Sequence, residues 1–174
     1  MNRILLLLVI ISLSVSSCID KEKEDTLLTQ EENIDTYFNT NYPDSTIIRN
    51  DGSNKVIITN GTSDKFLAAG DSVYFNYAIY IFSSTPELFD TNLESVAKTN
   101  NFIITYPTYT VKKIIFNQDN MIPGLFSGMS NMKEGEHSII LFSAKYGYYD
   151  DNVGIVPSMS ALMYEIWITQ IKKN

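Results

Sequence analysis

One long alternating segment constrains the fold of this chain more than any other feature of its sequence. In the run VYFNYAIYIF, from Val73 to Phe82, large apolar side chains occupy every odd position and a mixed set occupies the even positions. A period of two is typical of a β-strand whose faces meet different surroundings. Further strands are predicted at 101–106, 109–116, 136–142 and 161–171. The sequence therefore predicts a domain built mainly of β-strands.

Two helices and one hairpin complete the predicted elements. The capping-box spacing of TQEE precedes an apolar period, which predicts a short helix over 29–40 through Ile34, Tyr37 and Phe38. Asp51-Gly52 suits a tight turn with positive φ, so residues 46–59 are predicted to form a hairpin. Pro123 is tolerated in the first turn of a helix because its missing N–H would be unpaired there. A second short helix is therefore predicted over 123–129.

The amino-terminal residues have the pattern of a secretory signal. Arg3 precedes an apolar run from Ile4 to Ile11, and small residues lie just before Cys18. The residues VSSC at 15–18 resemble the lipobox of bacterial lipoproteins, in which the cysteine becomes the lipidated first residue after cleavage. Cys18 is the only cysteine, so no intramolecular disulfide forms and the thiol is best explained as an acyl acceptor. An ordinary signal peptide with an incidental cysteine is the alternative.

These patterns predict a division of the chain into a signal peptide at 1–17, a charged solvated tether at 18–28, a helix and hairpin extension at 29–69, and a main domain at 70–174. Lipidation at Cys18 would attach the protein to a membrane through acyl chains. We therefore expect an outer-membrane lipoprotein of a bacterial cell envelope, facing either the periplasm or the outside.

Charge and residue content exclude several classes of function. The net charge of −7 argues against nucleic acid as a partner and against a basic surface that binds anionic lipid. His137, the only histidine, is interpreted as a solvated edge residue, and one histidine with one cysteine cannot build a zinc site or a Cys–His pair. The segment 150–152 is interpreted as a loop tip. No phosphate-binding or nucleophile motif is present, so neither a metal nor a cofactor is expected.

Several segments, taken together and in order, resemble the FKBP-type peptidyl-prolyl isomerases. They are GDSVYFNYAIYI, LFD, MIPGLFSGMSNMKEGE and AKYGYYDDNVGIVPSMSALMYEIWI, between Gly70 and Ile171. The resemblance implies an α+β fold, in which a bent antiparallel β-sheet wraps around one short α-helix, here 123–129. The amino-terminal helix and hairpin would form an extension to that fold.

The resemblance also implies a site, an apolar hollow between sheet and helix that takes the proline of a substrate. Its catalytic residues would be Tyr77, Asp90 and Tyr146, with Tyr148 or Tyr149 as alternatives to Tyr146. Tyr77 or a nearby backbone group would hold the Asp90 carboxylate. The substrate-binding residues would be Phe89, Met121, Ile122, Leu125, Ile155, Val156 and Tyr164. The Ile122 N–H would donate to a substrate carbonyl.

Two departures from the family pattern accompany this resemblance. Leu125 stands where the family usually has tryptophan, which leaves the floor of the hollow apolar but removes a flat ring. Residues 91–101 resemble an insertion beside the hollow, either a flap or a contact surface.

The function implied is isomerisation of X–Pro bonds in proline-containing envelope proteins, by a monomer without cofactor or covalent catalysis. A non-catalytic module that holds a partner chain is the first alternative, and a structural envelope lipoprotein is the second. Neither alternative requires a catalytic residue.

The last predicted strand has a second face. If Leu162, Tyr164, Ile166 and Ile168 face the hollow, then Met163, Trp167 and Ile171 lie on the opposite side, where they would form an exposed apolar patch. We expect the amino-terminal helix or the hairpin to cover that patch.

Overall fold

The computed structural model of the protein describes residues 2–103 and 109–174, with side chains from Asp20 onward. The helices are α1 (Asn2–Asn41), α2 (Glu94–Thr99) and α3 (Pro123–Met129), and the strands are β1 (Ile48–Asn50), β2 (Ser53–Thr59), β3 (Ser72–Ile81), β4 (Glu87–Thr91), β5 (Lys112–Ile115), β6 (His137–Phe142) and β7 (Leu162–Lys172). Short 3₁₀ helices span Gln118–Asn120 and Ala144–Tyr146. The predicted strand over 101–106 is wrong at 101–103, and 104–106 lie outside the described residues.

All strands belong to one antiparallel sheet in the order β1-β2-β6-β7-β3-β4, with β5 also paired to β3. The alternating strand β3 is central, since β7 pairs with it along its whole length. The opposite edge of β3 is shared by β4 at one end and β5 at the other. The predicted α+β class and antiparallel sheet are thereby confirmed.

The main core lies between one face of the sheet and α3. It consists of alternate residues of the strands with the apolar side chains of the helix, including Val73, Phe75, Phe116, Met129, Ile140, Phe142, Leu162, Ile166 and Ile168. Two glycines bring α3 unusually close to the sheet. A Cβ on Gly124 would overlap the Phe142 ring, and a Cβ on Gly128 would overlap the Ile140 side chain. The short helix can therefore lie directly on β6.

The carboxyl-terminal half of α1 covers the other face of the sheet. Ile34 and Phe38 are fully buried there, in a second apolar cluster with Val56, Ile139, Leu141 and Met163. The structure therefore confirms that the helix, through Ile34 and Phe38, covers Met163. Trp167 lies on the same face but stacks on His137, with ring centroids 4.5 Å apart.

The predicted orientation of Ile171 is wrong. Ile171 is buried in the main core, opposite Val73. The register of β7 against β3 shifts between Tyr74 and Phe75, so that Thr169 is an extra residue. One extra residue reverses the alternation of faces beyond it, and Ile171 therefore returns to the face of Ile168.

Helix α1 continues through the segment predicted to be a tether, and the side chains of its charged residues are mostly exposed. Within the described residues, no helical segment combines the length and the apolar character that a membrane crossing needs. The predicted hairpin is present as β1 and β2, and Asp51 and Gly52 both have positive φ. Because β2 pairs with β6, the sheet continues across the predicted boundary between residues 69 and 70.

Candidate functional site

A hollow of about 390 Å³ opens between β3, the start of α3 and the loop after β6. Its lining is mainly apolar and aromatic, with few polar groups, which is typical of a site for a small apolar ligand. The lining residues are Phe75, Tyr77, Ile79, Asp90, Lys112, Ile114, Asn120, Met121, Ile122, Leu125, Tyr148 and Tyr164. Six of the residues predicted from the sequence are therefore brought together here: Tyr77, Asp90, Met121, Ile122, Leu125 and Tyr164.

The floor of the hollow is built by the first turn of α3. Ile122 is its N-cap residue with an extended backbone (φ −63°, ψ 142°), and Pro123 follows at the first helical position. The Ile122 carbonyl accepts from the N–H groups of Leu125 and Phe126, both at 3.1 Å. Its own N–H has no acceptor among residues 2–103 and 109–174. An amide donor beside an apolar floor can therefore bind a carbonyl oxygen of a ligand.

Tyr77 and Asp90 form the polar wall of the hollow. The Tyr77 hydroxyl donates to Asp90 Oδ2 at 3.1 Å, and Tyr77 is one of the two partners that the resemblance implied for that carboxylate. Burial, together with the nearby Asp90 charge and the hydrogen bond to it, raises the pKa of Tyr77 to about 12. The phenol is therefore neutral at physiological pH and stays a hydrogen-bond donor.

Asn92 holds this wall in place. Its buried side chain fills the gap where β4 leaves the edge of β3 and β5 has not yet begun. The Tyr77 N–H donates to Asn92 Oδ1 at 2.7 Å, and Asn92 Nδ2 donates to the carbonyl oxygens of Phe75 at 3.3 Å and Thr110 at 2.8 Å. No signal in the sequence indicated this role, because it depends on two strands sharing one edge.

The loop tyrosine at the hollow is Tyr148, one of the two alternatives, and Tyr146 does not line it. The Tyr146 ring lies against Gly52 of the β1–β2 turn. It belongs to the 3₁₀ helix Ala144–Tyr146, and the chain turns toward the hollow only after that helix. Tyr148 lies beside Tyr164, whose pKa is raised well above its ordinary value by burial and further by Tyr148. Tyr149 lies near Lys23 of α1 instead.

Three other predicted wall residues lie elsewhere. Ile155 is 63% exposed, because it follows Gly154 (φ +60°) at the tip of a turn closed by reciprocal hydrogen bonds between Val153 and Val156. Val156 points the other way and is buried in the main core. Phe89 is half-buried against that core and is not a lining residue of the hollow.

Five lining residues were not predicted from the sequence. Phe75, Ile79 and Ile114 lie on the inner face of their strands, so the alternation that selected Tyr77 also pointed to the first two. Lys112 and Asn120 are exposed rim residues that no pattern distinguished, and Tyr148 was known only as an alternative.

His137 is not a solvated edge residue. The strand that begins with it, β6, lies inside the sheet between β2 and β7. Its Nε2 lies 2.9 Å from Glu165 Oε1, and its ring stacks on Trp167. The interpretation failed because the hairpin, rather than solvent, flanks β6. In the described ranges, no group of three or more potential ligand side chains is arranged to hold a metal ion.

A second cavity of about 500 Å³ lies between α3 and the β1–β2 hairpin. Its buried charges are Lys55 and Glu136, with Nζ and Oε1 3.5 Å apart. Glu136 also accepts from Ser138 Oγ at 2.7 Å and from the Lys133 N–H at 2.9 Å. Because these charged groups already bind one another, the apolar hollow with its available amide is the better candidate site.

Comparison with known proteins gives a family and a similar fold. The sequence model of one family, FKBP-type peptidyl-prolyl cis-trans isomerase, matches residues 63–169. The crystal structure of FkpA from Escherichia coli is similar with a TM-score of 0.60 and 18% sequence identity, over 97% of this chain and 71% of that one. At this identity the likeness is one of fold. No curated protein has a significant sequence match to the chain.

Proposed function

The chain belongs to the family of FKBP-type peptidyl-prolyl cis-trans isomerases, and from this we propose that its hollow catalyses cis–trans isomerisation of X–Pro bonds in client polypeptides. One structural observation supports the proposal in addition to family membership. An apolar floor, an amide donor at Ile122 and the neutral Tyr77 phenol surround one cavity. Isomerisation needs these features and requires no nucleophile or base.

The reaction is a rotation about a single amide bond. The barrier is roughly 18–20 kcal/mol, because rotation breaks the conjugation between nitrogen and carbonyl. The planar amide is stabilised by charge separation, and water solvates the separated charges well. An apolar cavity solvates these charges less well than water does. The cavity therefore disfavours the planar form relative to the twisted form. Each 1.36 kcal/mol removed from the barrier is about tenfold in rate.

The polar groups of the hollow would favour the twisted geometry. The proline ring would occupy the floor formed by Met121, Ile122 and Leu125. The Ile122 N–H would donate to a client carbonyl and fix the chain on one side of the rotating bond. Tyr148 would supply a second donor from the opposite rim. Only bonds stronger in the twisted state than in the planar state accelerate the reaction.

The isomerase assay tests this proposal. The full chain should accelerate isomerisation of a short Xaa–Pro peptide, and a Tyr77→Ala, Asp90→Ala double variant that remains folded should lose most of that acceleration. Tyr74→Phe, on the opposite face of β3, is the control. A folded wild-type protein without acceleration would contradict the proposal.

A non-catalytic binding module is the second candidate, and Leu125 favours it. Without the flat ring that the family usually has, the floor holds a proline less firmly. Titration of the same Xaa–Pro peptide distinguishes the two. Binding at the hollow without acceleration indicates a binding module, whereas binding with acceleration indicates an isomerase.

We further propose that the protein is a monomeric lipoprotein of a bacterial envelope, acylated at Cys18, and that its clients are envelope polypeptides. The VSSC pattern before a charged segment supports this. Cells fed a labelled fatty acid should label the protein, and Cys18→Ser should abolish the label. Labelling that persists in this variant would contradict the anchor.

A further inference from the structure

Four hydrogen bonds form a closed ring between α1 and the loop that carries Tyr148. Gln30 Oε1 accepts from the Ala144 N–H at 2.8 Å, and the Ala144 carbonyl accepts from the Tyr149 N–H at 3.0 Å. The Tyr149 carbonyl accepts from the Met159 N–H at 2.6 Å, and the Met159 carbonyl accepts from Gln30 Nε2 at 2.6 Å. The Gln30 amide thus joins the two ends of the loop, using both its acceptor and its donor.

The backbone of this loop is held in a conformation that it would not prefer by itself. Tyr149 and Met159 both have positive φ, at 51° and 56°. For residues other than glycine this conformation is unfavourable. Both residues belong to the ring, so the hydrogen bonds of the ring help to hold them there. Tyr148 immediately precedes Tyr149, so the ring sets where its side chain enters the hollow.

Burial makes the Gln30 contact hard to replace. Ala144 is fully buried, and its N–H has no other acceptor in the described part of the chain. A buried N–H without a partner destabilises the folded state, because it has lost its hydrogen bonds to water. The Lys23–Asp150 ion pair, at 2.5 Å, joins α1 to the same loop at its exposed side. Helix α1 therefore contacts the loop at two points along its length.

We infer that Gln30 is a positioning residue of the hollow, through which α1 holds the Tyr148 loop in its binding conformation. Where substrate binding is concerned, this inference rests on the proposed function. Gln30 itself lies outside the lining of the hollow, so it acts through Tyr148. The amino-terminal helix is then part of the site's architecture, in addition to covering the sheet.

Gln30→Ala in the full chain is the first test, with Glu32→Ala on the exposed face of α1 as its control. Amide exchange at Ala144 and Met159 should become at least about tenfold faster in Gln30→Ala, while exchange at Ile139 in β6 should not change. kcat/KM for the Xaa–Pro peptide should fall roughly fivefold, with a loss in kcat, because Tyr148 is displaced from a wall of the hollow and its hydroxyl no longer reaches the twisted bond. Unchanged exchange and unchanged kcat/KM would overturn the inference.

Gln30→Glu gives a signature that a purely structural role does not produce. At pH 7 its carboxylate can still accept from the Ala144 N–H but has no donor for the Met159 carbonyl, so exchange at Met159 should be faster than in the wild type. Below the carboxyl pKa, ordinarily about 4.3, the protonated group has an acceptor for Ala144 and an O–H donor for Met159. Exchange at Met159, compared with the wild type at the same pH to account for Lys23 and Asp150, should therefore return to the wild-type rate on acidification. An absence of this recovery would count against the ring.

These tests separate the inference from the proposed function. If the wild-type protein does not accelerate isomerisation, the proposed function fails, whereas the exchange measurements still decide whether Gln30 holds the loop. If Gln30→Ala does not fold, the pH-dependent recovery of Gln30→Glu decides it.

Discussion

Tyr77 donates its phenolic hydrogen to Asp90 Oδ2 across a distance of 3.1 Å, from β3 to the neighbouring strand β4. The pair closes one wall of the hollow and keeps a carboxylate from standing alone beside apolar side chains. An unpaired charge there would be costly.

Removing the hydroxyl of Tyr77 should weaken catalysis. In Tyr77→Phe we expect kcat/KM for an Xaa–Pro peptide to fall about tenfold, or about 1.4 kcal/mol of transition-state stabilisation, because Asp90 loses its partner in the polar wall of the hollow. Tyr74→Phe removes the same group from the other face of β3 and should leave kcat/KM unchanged. Equal losses in the two variants would show that the effect is not specific to the hollow.

The size of the side chain at 125 should set the affinity of the hollow. Leu125→Ala removes part of the floor and should raise Kd for an Xaa–Pro peptide by about tenfold, as expected for the loss of contact equivalent to one or two buried methylene groups. Leu125→Trp should lower Kd, because a flat ring gives a proline more contact area. Calorimetric titration measures both, and a Leu125→Trp variant that binds more weakly would contradict this account of the floor.

Helix α1 should contribute substantially to stability through Ile34 and Phe38. Truncating either of these buried side chains to alanine should lower the free energy of unfolding by about 2–5 kcal/mol, because each leaves a cavity against the sheet. Thr36→Ala, on the exposed side of the same helix, should change it by less than about 0.5 kcal/mol. Urea denaturation followed by circular dichroism provides the comparison. Similar values for all three variants would mean that α1 is not packed on the sheet.

The close contact of α3 with β6 should make Gly128 intolerant of any side chain. A Cβ there would overlap Ile140 and the Ser53 hydroxyl, so Gly128→Ala should destabilise the protein by about 1–3 kcal/mol although alanine favours helices. Ser127→Ala, the neighbouring substitution, creates no such overlap and serves as the control. Thermal unfolding of the two variants tests this, and a stabilised Gly128→Ala would place α3 farther from the sheet.

Alkaline pH should destabilise the protein through its half-buried phenols. The pKa of Tyr77 is raised to about 12 by burial and by Asp90, and that of Tyr42 is raised to about 12 by burial and by Tyr37. Unfolded tyrosines lose their protons near pH 10, so between pH 10 and 12 the unfolded state binds fewer protons than the folded state. Stability is therefore unaffected by these groups below pH 10 and declines above it. Tyr77→Phe should show a shallower decline in urea midpoint than the wild type, and an identical decline would contradict the assignment.

The sequence determined the elements whose signals are local. Alternation predicted β3 and the inner position of Tyr77, the Asp-Gly turn predicted the hairpin, and Pro123 predicted the start of α3. The order of the segments between Gly70 and Ile171 indicated the family and placed Met121, Ile122 and Leu125 at the hollow. Each of these follows from a few consecutive residues or from motifs in a known order.

Tertiary structure decided the features that depend on residues distant in the chain. The bulge at Thr169 directs Ile171 into the core. The hairpin pairs with β6 and so covers His137. Tyr146 packs on Gly52, and Tyr148 lines the hollow instead. The hydrogen bonds from Gln30 to Ala144 and Met159 span more than a hundred residues of sequence. Such contacts form only when the folded sheet brings both partners together. A local sequence pattern therefore cannot predict them.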